Sequence, residues 1–109
     1  MKLVVAVAQD EDAEDLVAAL VAERFRVTRV ASTGNLLRTG NSTVFLGVDD
    51  ADVDRAVATI NDVCRRRTQV VVPYTPALEP GLLYVTENFE VEVGGAIIFT
   101  LDVDRFERL

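Results

Sequence analysis

No histidine occurs anywhere in the sequence, which removes the commonest general base and the commonest transition-metal ligand together. Cysteine occurs once, as Cys64, so an internal disulfide framework is excluded and a reducing compartment is favoured. No apolar run approaches the roughly 20 residues that cross a membrane. The longest, LVVAVA near the start, follows one lysine and precedes no small-residue cleavage pattern, which argues against a secretory signal. Together these absences predict a soluble, cytoplasmic protein without a metal site. Its 109 residues are enough for one domain spanning 1–109 with one core.

Basic residues are in the minority, 11 against 18 acids for a net charge of −7, a poor global field for nucleic acid or anionic lipid. Neither a nucleic-acid nor a membrane partner is expected. Acids are themselves missing from two stretches. Arg24 to Val48 holds Arg24, Arg26, Arg29 and Arg38 and no Asp or Glu, where an even spread of the 18 acids over 109 residues would place about four. Val63 to Leu78, with Arg65, Arg66 and Arg67, is the second.

What is present alternates regularly. KLVVAVA is apolar on both pleat faces, as a central strand would be. In DEDAEDLVAALVAERF, residues Ala13, Leu16, Val17, Leu20 and Val21 form one helical stripe, with Asp10 or Asp12 as cap. FRVTRVAST alternates as a strand, placing Arg26, Thr28 and Val30 on one face, and STVFLGV resumes as another. A second helix is expected in DDADVDRAVATINDVCRRR on Val53, Ala56, Val57, Ile60 and Cys64, opened by aspartates and closed by arginines. All three prolines fall between residues 68 and 88, which predicts a long loop with a short strand at QVVV. FEVEVGGAIIFTLDVDRF reads as a long strand broken or bulged at Gly94-Gly95.

The order βαββαβ predicts an α+β, ferredoxin-like antiparallel sheet with both helices on one face. Strands apolar on both faces need a second cover, which a symmetric oligomer would supply.

Few groups suit catalysis. Cys64 lies on a helical apolar stripe, as a core residue does. DEDAED lacks the glycine that a calcium loop needs at its sixth position and suits a helix N-terminus. Glu90 and Glu92, two apart on one strand, fit a solvated face better than an acid-base pair. No catalytic residue is assigned. The segment TGNLLRTGN, residues 33–41, is more informative, because its two glycines free backbone N–H groups around a Leu-Leu-Arg core. With Arg26 and Thr28 on the feeding strand, Leu36 and Leu37 for apolar contact and Asn41 at the exit, it suits an anionic ligand with flat rings. A surface hairpin whose glycines serve turns alone fits the composition equally well.

The run FRVTRVASTGNLLRTGNSTVFLGVDD, followed downstream by VEVGGAIIFTLDVDRF, closely resembles the PII-like cyclic di-AMP receptors, small cytoplasmic homotrimers. The resemblance covers essentially the whole chain and weakens in the proline-bearing loop. It implies a sensor without catalysis or cofactor, binding cyclic di-AMP between neighbouring subunits. By matching positions, Arg26 and Thr28 would flank the ligand and the loop of Gly34, Asn35, Leu36 and Leu37 would wrap a base and phosphate. Asn41 would hydrogen-bond an adenine, and Gly47 would leave room for its ring. The long loop, about 68–88, would rearrange and present a surface to an effector protein.

The chain departs from the family at three positions. The family commonly reads T-G-G-F-L where Thr33-Gly34-Asn35-Leu36-Leu37 stands here, and Arg24 replaces a usual asparagine. Base-aromatic stacking contributes about 1–3 kcal/mol, so Leu36 would weaken binding by roughly ten- to a hundredfold. Two further readings therefore stand beside the receptor. One is a PII-like trimer sensing ATP, ADP or another cyclic dinucleotide, and the other is a trimeric protein-interaction module without nucleotide.

Overall fold

A computed structural model describes residues 1–32, 40–71 and 89–109. Its elements are β1 (Lys2–Gln9), α1 (Asp10–Ala22), β2 (Thr28–Ser32), β3 (Asn41–Val48), a 3-10 turn (Asp50–Asp52), α2 (Val53–Cys64), β4 (Arg67–Val71), β5 (Phe89–Val93) and β6 (Ala96–Asp102). β2, β3, β1 and β6 form an antiparallel sheet in that spatial order, while β4 and β5 pair as a separate two-stranded sheet. The fold is thus mixed α+β with an antiparallel sheet and two helices, as expected from the sequence. Among the described residues no helix is long and apolar enough to cross a membrane.

β1 is the central strand that its two-sided apolar composition predicts, paired with β3 along one edge and β6 along the other. Its even-numbered residues Val4, Ala6 and Ala8 are buried with Val44, Leu46 and Val48 of β3 against Leu16, Leu20, Ala56, Ile60 and Cys64 of the helices. The other face carries Val5 beside Phe45 and Phe99, and Leu3 beside Leu101. Phe99 and Leu101 are about half exposed and Val30 nearly so.

Local boundaries differ from the sequence expectation for identifiable reasons. Gln9 occupies the N-cap of α1 and makes no side-chain capping bond, its side-chain carbonyl accepting from Gly94 instead, while the expected caps Asp10 and Asp12 lie inside the helix with their carboxylates turned to Ser42 and Arg67. The expected α1 stripe holds at Ala13, Leu16 and Leu20, but Val21 is exposed at the last turn. β2 begins at Thr28, since residues 23–25 are used to stop α1: Arg24 N–H donates to the Val21 carbonyl and Phe25 N–H to that of Leu20. This is the Schellman pattern, with Phe25 and Leu20 both in the core. Arginines 65–67 lie beyond α2, which ends at Cys64. Residues 68–71 of the expected long loop belong to β4, and residues 72–88 lie outside the described residues. The expected break at 94–95 separates β5 from β6, with φ of 88° at Gly94 and 89° at Gly95.

The two-stranded sheet is tied to the first turn of α1. Arg67 at the start of β4 donates to Asp12 at 2.6 Å, and the Asp12 carboxylate is only 5% exposed. That hydrogen bond is the main cause raising the Arg67 pKa above its ordinary value. Gly94, just past β5, donates its N–H to the Gln9 side-chain carbonyl at 2.7 Å. Here only glycine fits, because φ is left-handed and a Cβ would collide with the Arg65 carbonyl oxygen.

Two stability outcomes follow from these contacts. Gly94→Ala is expected to destabilise the protein by at least about 1 kcal/mol, read as a lower urea midpoint. Arg67→Met strands a buried carboxylate and is expected to cost roughly 2–4 kcal/mol, the lower part of the range for a broken buried pair because Arg67 is partly exposed. An unchanged midpoint in Arg67→Met would show that the pair does not hold the β4–β5 sheet to α1.

Candidate functional site

The β2–β3 register, Thr28 opposite Phe45 and Ser32 opposite Asn41, places Thr28 and Val30 with Asn41, Thr43, Phe45 and Gly47 on the sheet face away from the helices. Continued two residues beyond the last pair, it sets Arg26 opposite Gly47. These two residues line one cavity of about 210 Å³ whose other walls include Arg24, Phe25, Asp49 and Arg55. Gly47 is exposed and lies across from Leu3 of β1, so the missing side chain keeps the cavity open beside β1. Thr28 stands next along the same face and is exposed.

Asn41 is at the opposite end of β3, buried and flanked by Gln9 of β1 and Ser32 of β2. Gly47 lies six positions further along the strand, a span of about 20 Å. The described candidate residues therefore form a track along one face of the β2–β3 pair, rather than a single cleft. Gly34, Asn35, Leu36 and Leu37, the expected loop contacts, lie outside the described residues.

The cationic groups of the cavity are in different states. The Arg55 guanidinium stacks over the Phe25 ring, 4.2 Å from its centroid, donates to the Glu23 carbonyl at 2.8 Å, and pairs with the Glu23 and Asp52 carboxylates at 3.1 and 3.6 Å. It is a wall whose charge is already matched. Arg24 and Arg26 are exposed, and neither side chain bonds or pairs with another described residue. The sequence marked Arg26 by its pleat face. It gave no signal for Phe25, Asp49 or Arg55 as walls, because their approach depends on how the end of α1 meets the start of α2.

At the other end of the track the base of the 33–41 loop is held to α1. Asp10 N–H donates to the Gly40 carbonyl at 2.9 Å, and Ser42 Oγ donates to the Asp10 carboxylate at 2.6 Å. Arg29 donates to the same Ser42 oxygen at 3.2 and 3.3 Å. A Cβ at residue 40 would overlap the Asp10 carboxylate, which would have to shift from its place beside Ser42 to admit it.

The alternative chemistries gain no support from the geometry. Cys64 is buried, and desolvation, followed by the charge of Asp12, pushes its thiol up to about 11 despite the opposing effect of Arg67. It is therefore a poor nucleophile. Glu90 and Glu92 are exposed on β5, where Glu92 faces Arg66 at 3.6 Å. A larger cavity, about 630 Å³, opens between α2 and β6 and includes Val57, Ile60, Ile98, Arg65 and Arg66. It contains no residue expected to touch ligand, and the smaller cavity at Arg26 is the better candidate on chemistry.

A solved structure described as a functionally unknown protein from Pediococcus pentosaceus ATCC 25745 is similar over 99% of this chain and 96% of its own, with 31% identity and a TM-score of 0.80. The sequence model described as "Cyclic-di-AMP receptor" matches residues 1–109. The chain belongs to the cyclic-di-AMP receptor family.

Proposed function

We propose that this protein is a cytoplasmic, non-enzymatic signalling protein with a single PII-like domain, binding cyclic di-AMP at the subunit interfaces of a homotrimer. One observation carries the reading. Thr28, Asn41 and Gly47, residues to which the family resemblance assigns ligand contacts, share a sheet face with the half-exposed Phe99 and Leu101, and Arg26, just before β2, lines the cavity at Gly47. A face that is apolar, bears hydroxyl and amide groups and borders an arginine suits a site completed by a neighbouring subunit. The ligand's phosphates are matched by arginine, its adenines by the side chains of Thr28 and Asn41 and by residues 34–37 of the loop.

The signal passes to an effector protein through the long-loop region. The described base of that region, β4 and β5, is attached to α1 by Asp12–Arg67 and Gln9–Gly94, and α1 also holds Gly40 and Ser42 at the base of the ligand loop. No metal or cofactor takes part.

Calorimetric titration with cyclic di-AMP tests the reading, with cyclic di-GMP, ATP and ADP as competitors. One ligand per chain at micromolar or tighter affinity is expected, with a loss of at least tenfold in Arg26→Ala from a lost charge-assisted contact. Binding of ATP or another cyclic dinucleotide in its place would give a PII-like sensor of altered specificity. No heat and an unchanged melting temperature with every nucleotide would leave a protein-interaction module. Sedimentation velocity tests the assembly: the unsubstituted chain should run as a trimer and Phe99→Glu as smaller species, and a monomeric unsubstituted chain would overturn the interface site.

A further inference from the structure

We infer that Asp10 is a positioning residue of the candidate site: from the helix side of the sheet, its carboxylate holds Ser42 and Gly40 and so fixes which way Asn41 faces. This inference rests on the cyclic di-AMP reading above and names what keeps one of its contacts in place.

The bonds of Asp10 bracket Asn41. Its N–H donates to the Gly40 carbonyl at 2.9 Å, and its carboxylate accepts from Ser42 Oγ at 2.6 Å. One residue of α1 therefore grips the chain immediately before and immediately after the first residue of β3. Ser42 is buried and shares its pleat face with Val44 and Leu46, against the helices. Alternation then turns Asn41 to the opposite face, the one that carries Thr43 and Gly47. A slip of one residue would exchange the two faces. Both ladders of β3 reach their end at Asn41, where it pairs with Gln9 and Ser32. Strand ends are where pairing opens most readily, so a tie from outside the sheet has its largest effect there.

Asp10 is itself well anchored. Gln9 before it accepts from the Gly94 N–H at 2.7 Å, and Asp12 two positions after it holds Arg67 at 2.6 Å. The hydroxyl between the charges is also oriented: Ser42 Oγ accepts from Arg29 at 3.2 and 3.3 Å, which leaves its single proton for Asp10. An O–H donor on a carboxylate at that separation is of the strong, charge-assisted kind. The helix dipole by itself asks only for an acid in the first turn, and Glu11 and Asp12 already supply that. What Asp10 adds is its approach to the chain on both sides of Asn41, the support that a preorganised contact residue needs.

The test is calorimetry with cyclic di-AMP on the full unsubstituted chain, Asp10→Ala, Asp10→Asn, Ser42→Ala, Asn41→Ala and Arg26→Ala, and on Asp10→Ala combined with each of the last two. Melting temperature and oligomer size are measured in parallel. Asp10→Ala is expected to weaken binding roughly two- to thirtyfold, the range for residues that act on a site without touching its ligand. Asp10→Asn keeps an acceptor for Ser42 and should recover most of that loss. The deciding comparison is the double-mutant cycle. Asp10→Ala should lose its effect on affinity once Asn41 is alanine and keep it in full when Arg26 is alanine. Ser42→Ala breaks the same bond from the other side, and should likewise weaken binding only while Asn41 is present; it carries the comparison if Asp10→Ala does not fold. An equal effect in both backgrounds would overturn the inference, by making Asp10 a general support of the fold. Unchanged affinity in Asp10→Ala and in Ser42→Ala, or weaker binding accompanied by a smaller oligomer, would also overturn it and leave the receptor reading standing. No binding by the unsubstituted chain would remove the receptor reading, and this inference with it.

Discussion

The first turn of α1 is the constraint on which the rest of the structure depends. Within four residues, Gln9 accepts from Gly94, Asp10 both donates to Gly40 and accepts from Ser42, and Asp12 holds Arg67. These partners sit at the edges of three different segments: the exit of the short loop, the start of β4 and the link from β5 to β6. Acids in this turn are also favoured by the positive end of the helix dipole, so one local choice of residue serves the helix and the tertiary contacts together. The buried Asp12 carboxylate is tolerated because Arg67 reaches it with a charge-assisted bond. Its worth lies more in fixing where the β4–β5 sheet attaches than in net stabilisation, since burying an ion pair costs much of what it returns.

A second consequence comes from covering a four-stranded sheet with only two helices. The helix side takes Val4, Ala6, Val44 and Leu46 out of water completely. The other side keeps Val5, Phe45 and Phe99 in one cross-strand row and Leu3 and Leu101 in the next. Because side chains alternate along a strand, the register that buries the first set forces the second outward. Candidate ligand residues on β2 and β3, Thr28, Asn41 and Gly47, share that outward face, so under the proposed function assembly and recognition would draw on one surface. On that reading a change in how subunits meet would be felt at the ligand, and the reverse would hold by linkage.

At the cavity beside Arg26, the turn that ends α1 also builds the walls of the candidate site. Residues 23–25 stop α1, and the same three residues bring Arg24, Phe25 and Arg26 against Gly47 and Arg55. Arg55 over Phe25 closes one side with a cation that is already matched. Arg24 and Arg26 in the same lining pair with no other described residue, in a chain whose net charge is −7.

The sequence by itself determined the element order, the two helices, the central position of β1, the break at the paired glycines and the family. These are set by apolar periodicity, turn residues and motif order, which are local properties. Leu16, Leu20, Ala56, Ile60 and Cys64 were legible as core on the same ground, and Arg26 and Thr28 as face-sharing neighbours. Tertiary structure decided the rest. Val21 is exposed although Leu20 beside it is fully buried, and Asp10 and Asp12 are engaged by Ser42 and Arg67, 32 and 55 residues away. The separation of β4 and β5 into their own sheet, the matched state of Arg55 and the left-handed turn at Arg24 depend on contacts between distant segments, for which no short window of sequence carries a signal.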